Sequence, residues 1–315
     1  MSTSGNAIEV ERLSKRFGDS MAVDQVSFQV APGEIYGWVG PNGAGKTTTI
    51  RMLLGLLKPS GGSARVLGYD PARQAKAMQA QVGYMSQLFT LYTDLTASEN
   101  IRFYGRAYGL SRTDLRRREA EILEMAGLTG RGDSLTANLS GGWKQRLALG
   151  CAIVHRPQVV FLDEPTAGVD PVSRRHFWGL IYAMAKKGVT VMVTTHYMDE
   201  AELCQRVGFI IQGKLVALDT PAQLKKTQMR GMLLEIGAAD VNGAMRVLKT
   251  AQLSGRLPLE DVTLYGAQIH VVVPSGETLR EPILALLERE GVAVQSADWI
   301  EPTLEDVFIS VVKPR

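Results

Sequence analysis

The sequence predicts an α/β chain followed by a small α+β domain, on three observations. Strand-like and helix-like runs alternate through the N-terminal part. One short apolar strand runs directly into a glycine-rich loop that opens a helix. Beyond about Pro221 the order changes to strand, helix, two strands, helix, strand. A length of 315 residues exceeds what one compact domain ordinarily uses, which agrees with domains at 1–220 and 221–315.

Residues 8–13 and 26–30 read as the first strands, and Pro32-Gly33 as a turn. Residues 34–39 form the apolar strand, and 47–57 have the composition of a helix packed on a sheet. From Leu88 the chain turns rich in Arg, Glu, Leu and Ala, which marks an inserted helical subdomain over roughly 88–150. Its best helix is 113–126, with Ser111 or Thr113 as cap, and a second helix is expected over 144–153. Residues 158–162, 189–195 and 207–211 read as buried strands. Between the first two, a helix is punctuated by Asp170 as cap, Pro171 at its first position, Lys186 and Lys187 in its last turn, and Gly188. In the last part, 232–236, 261–264, 270–273 and 292–295 read as strands, and 244–253, 283–290 and 303–311 as helices.

Bulk composition narrows the function. Hydrophobic residues make up 45% of the chain, enough for an ample core. No run of about eighteen apolar residues is present, so no membrane span is expected. The first ten residues lack the basic and apolar regions of a secretory leader. Cys151 and Cys204 lie in apolar periodic segments and read as buried thiols in a reducing compartment. A net charge of +3 is too near neutral to argue for nucleic acid.

The segment Gly40, Pro41, Asn42, Gly43, Ala44, Gly45, Lys46, Thr47, Thr48 fits the phosphate-binding loop G-x-x-x-x-G-K-[ST], in the strand-to-helix context it requires. Gly43 and Gly45 let the backbone approach phosphates, whose oxygens take N–H groups from the loop and helix start. Lys46 would neutralise them, and the Thr47 hydroxyl would reach Mg²⁺. Asp163 and Glu164 close a buried strand, at the edge where ligands bind in open α/β sheets. Asp163 suits Mg²⁺ through its water shell; Glu164 suits the general base that polarises water. His196 ends the neighbouring strand and is placed to sense a terminal phosphate. Gln87, after the strand-like 82–85, is by itself an ordinary surface residue. Ser140, Gly141 and Gly142 open another helix and form an anion-binding turn without a lysine. They read as half a site, waiting for a nucleotide held by another molecule.

Together these residues resemble the nucleotide-binding domain of an ABC ATPase over about 8–218. Residues 40–48 match its Walker A loop, Gln87 its Q-loop, 139–143 its signature, 159–164 its Walker B strand, 167–170 its D-loop and His196 its switch histidine. Phe17 resembles the aromatic that stacks on adenine; the alternative for it is a core position. The resemblance implies a P-loop ATPase core with an antiparallel β subdomain and an inserted helical one. It implies ATP and Mg²⁺ as ligands, with Gln87 joining Thr47 and Asp163 at the metal. It also implies an ATP-dependent head-to-tail homodimer, in which Ser140–Gly142 of one chain meet the nucleotide of the other.

Two positions depart from the pattern. Trp143 stands where the signature ordinarily has Gln, a variation familiar in ABC-2-type exporters, and Val169 stands where the D-loop has Leu. The segment 301–309 resembles the C-terminal segment of exporter ATPases that carry an accessory domain. The expectation is therefore an energy-coupling subunit, peripheral on the cytoplasmic face of the inner or plasma membrane, docked through 88–104 to separate ABC-2-type permease subunits. The alternative is a soluble mechanoATPase acting on ribosomes or nucleic acid. A single P-loop and the absence of sustained heptads argue against it.

Overall fold

The computed structural model of the chain describes residues 5–87, 91–229, 231–274 and 276–312. The chain divides into two compact units, Met1–Pro221 and Ala222–Arg315.

In the first unit, β1 (Ile8–Phe17) and β2 (Ser20–Val30) form a hairpin, β3 (Ile35–Val39) follows, and α1 (Lys46–Leu53) comes after the glycine-rich loop. Next are β4 (Gly61–Val66), α2 (Pro71–Gln79) and β5 (Val82–Met85). The helical insertion contributes α3 (Ala97–Ala107), α4 (Arg112–Ala126) and α5 (Gly141–Ala152). The chain then returns through β6 (Val159–Asp163), α6 (Pro171–Lys186), β7 (Thr190–Thr195), α7 (Met198–Ala201), β8 (Arg206–Ile211) and β9 (Lys214–Asp219).

Among the described residues the central sheet runs β5-β6-β7-β3-β8-β9. Its pairs are parallel from β5 to β8, and β9 closes it antiparallel. Every residue of β3, β6 and β7 is buried. That is why these strands read as continuous apolar runs rather than alternating ones. Because they are parallel and in register, their C-terminal ends meet at one edge. A separate antiparallel sheet, β2-β1-β4, packs Ile8, Val10, Leu13 and Phe28 against Trp38 and the α1 side chains.

Several expectations are extended. The strands expected over 8–13 and 26–30 run to Phe17 and start at Ser20, because cross-strand pairing carries polar residues that periodicity alone leaves out. Strand β4, of sequence GGSARV, has almost no apolar pattern and exists by pairing with β1. Ser111 is the α4 cap, its side chain accepting from the Asp114 N–H. Asp170 caps α6 by accepting from Val172 and Ser173, which holds its carboxyl below the ordinary range. Helix α5 starts at Gly141, earlier than the expected 144. Cys151 and Cys204 are buried free thiols, their ionisation suppressed by desolvation.

Helix α8 (Pro221–Gln228) begins where the first unit ends. In the second unit, β10 (Met232–Ala238), α9 (Val241–Leu253), β11 (Asp261–Tyr265), β12 (Gln268–Val273), α10 (Gly276–Arg289), β13 (Val294–Ile300) and α11 (Leu304–Val312) follow. The antiparallel sheet β11-β12-β10-β13 buries Leu234, Ile236, Val262 and Val271 against Leu248 of α9 and Ile283 and Leu287 of α10. No helix among the described residues is long and apolar enough to cross a membrane.

Candidate functional site

The site is assembled where β3, β6 and β7 end. The Gly40 N–H donates to the Thr195 carbonyl at 3.2 Å, so the glycine-rich loop leaves β3 against the end of β7. A side chain at Gly40 would strike the Ile210 carbonyl, and one at Gly45 the Ala22 carbonyl. Gly45 also has φ +104, a backbone that costs an L residue dearly. Gly43 has φ +79 and open space where a Cβ would stand. The cap residue before α1 is Gly45, which has no side chain to bond the helix start, so the loop, rather than a capping oxygen, faces its first-turn N–H groups.

Lys46 is 4% exposed and lies across the loop. Its Nζ donates to the carbonyls of Gly40 (2.7 Å) and Pro41 (3.1 Å) and pairs with Glu164 Oε1 at 3.0 Å. Thr47 Oγ1 donates to Asp163 Oδ1 at 3.1 Å, and Thr194 Oγ1 donates to the same oxygen at 2.6 Å. Asp163 is thereby locked at the strand end. Its charge, after burial, helps push the neighbouring Tyr84 hydroxyl up to about 12.

Glu164 has φ +47, a left-handed backbone in a non-glycine residue. Such strain persists only where neighbours hold it. Here its N–H donates to the Thr194 carbonyl (3.1 Å) and to Thr194 Oγ1 (3.0 Å). The turn aims the carboxylate back over the loop. Gln87 Nε2 donates to Glu164 Oε2 at 3.1 Å. His196 Nδ1 lies 3.3 Å from that oxygen, outside hydrogen-bond geometry, and is a buried ring nitrogen with no hydrogen-bond partner. Lys46, Gln87 and His196, reached from three separate stretches of chain, thus converge on one carboxylate.

A cavity of about 300 Å³ opens over these groups, lined by Asn42, Gly43, Gly45, Lys46, Thr47, Thr48, Gln87 and Glu164, together with Ala22. A larger groove, about 880 Å³, runs along α4 and α6 and is lined by none of the candidate site residues. Size therefore does not mark the site; convergent polar chemistry does. Uncapped N–H groups, a buried cation and an open glycine fit a polyphosphate. A hydroxyl and a carboxylate sharing one contact fit a hard divalent cation such as Mg²⁺.

The other expected residues lie elsewhere. Phe17 ends β1, is 49% exposed and carries Lys15 Nζ 5.0 Å from its ring centre, so it is not a core aromatic. Ser140 is the exposed cap residue of α5, yet its side chain makes no capping hydrogen bond. Gly141 is exposed, whereas Gly142 packs so closely on α6 that a Cβ would lie 2.3 Å from Ser173 Oγ. These three do not line the Lys46 cavity. Trp143, beside them, stacks under Arg131, whose guanidinium carbon is 4.6 Å from the ring centre. Of the expected docking segment, residues 88–90 lie outside the described residues. Tyr92 and Phe103 are exposed and meet edge-on with ring centres 4.7 Å apart. Motif reading missed Thr194, whose hydroxyl ties Asp163 to Glu164; its only signal was a threonine at a buried strand end.

A family model described as "ABC transporter" matches residues 23–167. The chain is 50% identical over 218 residues to the probable multidrug ABC transporter ATP-binding protein YbhF of Escherichia coli (strain K12). That match covers 69% of this chain and 38% of that protein, so the chain spans well under half of that relative's length. It is 36% identical over 313 residues to the daunorubicin resistance ATP-binding protein DrrA2 of Streptomyces coeruleorubidus, covering 99% of this chain and 96% of the relative. A solved structure of an ATP-binding subunit of an ABC transporter matches with TM-score 0.64 and 31% identity, over 70% of this chain and 92% of that one.

Proposed function

The chain belongs to the family of ABC transporter ATP-binding proteins, and from that premise we propose that it is the ATP-hydrolysing, energy-coupling subunit of a membrane exporter. The observation that carries the reading is the convergence of Lys46, Gln87 and His196 on Glu164, beside the Thr47–Asp163 pair. ATP phosphates would take the N–H groups of residues 43–48 and the Lys46 ammonium. Thr47, Asp163 and Gln87 would hold Mg²⁺, which when bound supplies positive charge against the phosphates. Lys46 and His196 would turn from the Glu164 carboxylate toward phosphate oxygens. Glu164 is then free to take a proton from the attacking water as general base. Phe17 would stack on the adenine.

Ser140, Gly141 and Gly142 would complete the site in a second copy of the chain, and the unspent Ser140 hydroxyl supports that role. ATP would hold the head-to-tail homodimer together and hydrolysis would release it. The export reading rests on the names of the relatives, one a probable multidrug transporter protein and one a daunorubicin resistance protein. Separate ABC-2-type permease subunits would dock near the exposed Tyr92 and Phe103, holding the chain at the cytoplasmic face of the membrane.

The test is the mass of the purified chain in Mg-ATP by light scattering. Glu164→Gln, expected to bind ATP but hydrolyse it slowly, is expected to dimerise. Adding Ser140→Arg is expected to keep it monomeric while fluorescent ATP still binds. A Ser140→Arg variant that dimerises refutes the two-chain site, and a chain that binds no ATP refutes the reading as a whole.

A further inference from the structure

Glu200 belongs to no motif read above, yet it is among the most deeply buried carboxylates of the first unit, at 1% exposed. It sits on α7, just past His196. Its Oε1 accepts from Thr166 Oγ1, two residues beyond Glu164. Its Oε2 accepts from Thr195 Oγ1 at 2.7 Å, one residue before His196. Arg174, on the first turns of α6, brings its Nε to 3.5 Å from Oε1 without forming a hydrogen bond there. The same guanidinium pairs with Asp199 at 3.0 Å and lies 4.7 Å from the Tyr197 ring centre.

A buried carboxylate is costly unless each oxygen is partnered. Here the partners come from the segment after the general base, the segment before the switch histidine, and α6. The Thr195 hydroxyl, while donating to Glu200, also accepts the Tyr197 N–H at 3.0 Å, which clamps the turn that carries His196. Ser173, next to Arg174, is the residue packed against Gly142. One helical turn of α6 therefore touches both the Ser140–Gly142 segment and the Glu200 cluster.

We propose that Glu200 is a positioning residue for ATP hydrolysis: it ties the backbone after Glu164 to the turn bearing His196, fixing the histidine relative to the base. The proposal rests on the ATPase reading above. Glu200 does not line the Lys46 cavity and acts through His196. Removing it should lower kcat and leave nucleotide affinity and KM nearly unchanged.

The experiment is a kinetic double-mutant cycle on the full chain, with Glu200→Gln, His196→Ala and the double variant, alongside fluorescent-ATP binding and thermal melting. Gln keeps the volume but cannot accept from both threonines while its amide hydrogens face one of them. The expected result for Glu200→Gln is a kcat loss of about tenfold or more with ATP affinity within about twofold. In the His196→Ala background the same change should cost almost nothing further, because both act as one unit. Losses that multiply, or a kcat equal to wild type, overturn the proposal and leave the ATPase reading standing. A wild-type chain that does not hydrolyse ATP overturns both. Should Glu200→Gln fail to fold, Thr166→Val against Thr166→Ser runs the same cycle. Serine keeps the hydroxyl and should rescue kcat; equal rates for the two overturn the proposal.

Discussion

Each unit of the molecule contains an ionic cluster that includes a histidine and a buried carboxylate, and the two differ in what surrounds them. In the first unit, Glu164 collects Lys46, Gln87 and His196 at the ends of parallel strands, beside an uncapped helix start and an open cavity. In the second, His270 of β12 is closed in on every side. Its Nδ1 meets Asp306 Oδ1 at 2.7 Å and its Nε2 meets Glu235 Oε2 at 3.3 Å. The Tyr265 ring stacks on it with centres 4.4 Å apart, and Thr303 donates to the other Asp306 oxygen. Burial and charge alone thus do not make a reactive site. The first cluster holds donors that a phosphate can redirect, whereas the second has spent its hydrogen bonds on pinning α11 to the sheet.

The sharpest way to test that contrast is to remove one carboxylate charge from each. Glu164→Gln is expected to reduce ATP turnover at least about 10²-fold while ATP still binds, measured by phosphate release and by fluorescent-nucleotide titration. Near-normal turnover would remove Glu164 from the base role and erase the distinction. Asp306→Ala should instead lower the stability of the second unit by about 3 kcal/mol, since it removes the nearer of the two carboxylates that partner buried His270. Urea unfolding followed by hydrogen exchange over Leu304–Val312 reads this directly, and ATP affinity is expected to stay as in the wild type. A loss of ATP binding without loss of stability would make the second cluster functional after all.

The contrast also has a pH signature. Burial disfavours the His270 imidazolium, but the Asp306 and Glu235 carboxylates outweigh it and hold its pKa above the ordinary value. Burial likewise opposes the Asp306 charge, and the bonds from His270 and Thr303 outweigh that and lower its pKa. For the raised histidine, stability is present in full below its unfolded pKa of about 6.5 and is lost as pH rises through the folded value. For the lowered aspartate, stability is present above about 3.9 and is lost as pH falls through the folded value. Exchange protection of α11 should therefore be greatest between those limits and decline on both sides, and loss of the high-pH decline in His270→Phe would confirm the source of that limb. The smallest effect is expected at Phe17. Replacing it by Ala should weaken ATP binding by about 1 kcal/mol, the worth of one aromatic stack, and unchanged affinity would take Phe17 out of the site.

Local chemistry decides how far each element could be read. The loop Gly40–Thr48 was legible because glycine positions, a lysine and a hydroxyl must stand at fixed spacing for a backbone to wrap phosphates. The α6 boundaries were legible because Asp170, Pro171 and Gly188 are local punctuation. Strand β4 was not, since GGSARV has no period and depends on β1. Gln87 and Ser140 were unremarkable as residues and gained meaning only through the order of motifs around them.

The sequence by itself determined the strand–loop–helix that suits a polyphosphate, the paired carboxylates at a buried strand end and the family, because these depend on residues adjacent in the chain. Only the tertiary structure decided that Lys46, Gln87 and His196 meet on one carboxylate, that Thr194 and Glu200 lock the segments bearing it, and that His270 answers to Asp306. The three contacts to Glu164 join residues separated by 32 to 118 positions, from His196 (196 minus 164) to Lys46 (164 minus 46). No periodicity spans such distances. They follow from parallel strands brought into register, which sets strand ends side by side whatever their order along the chain.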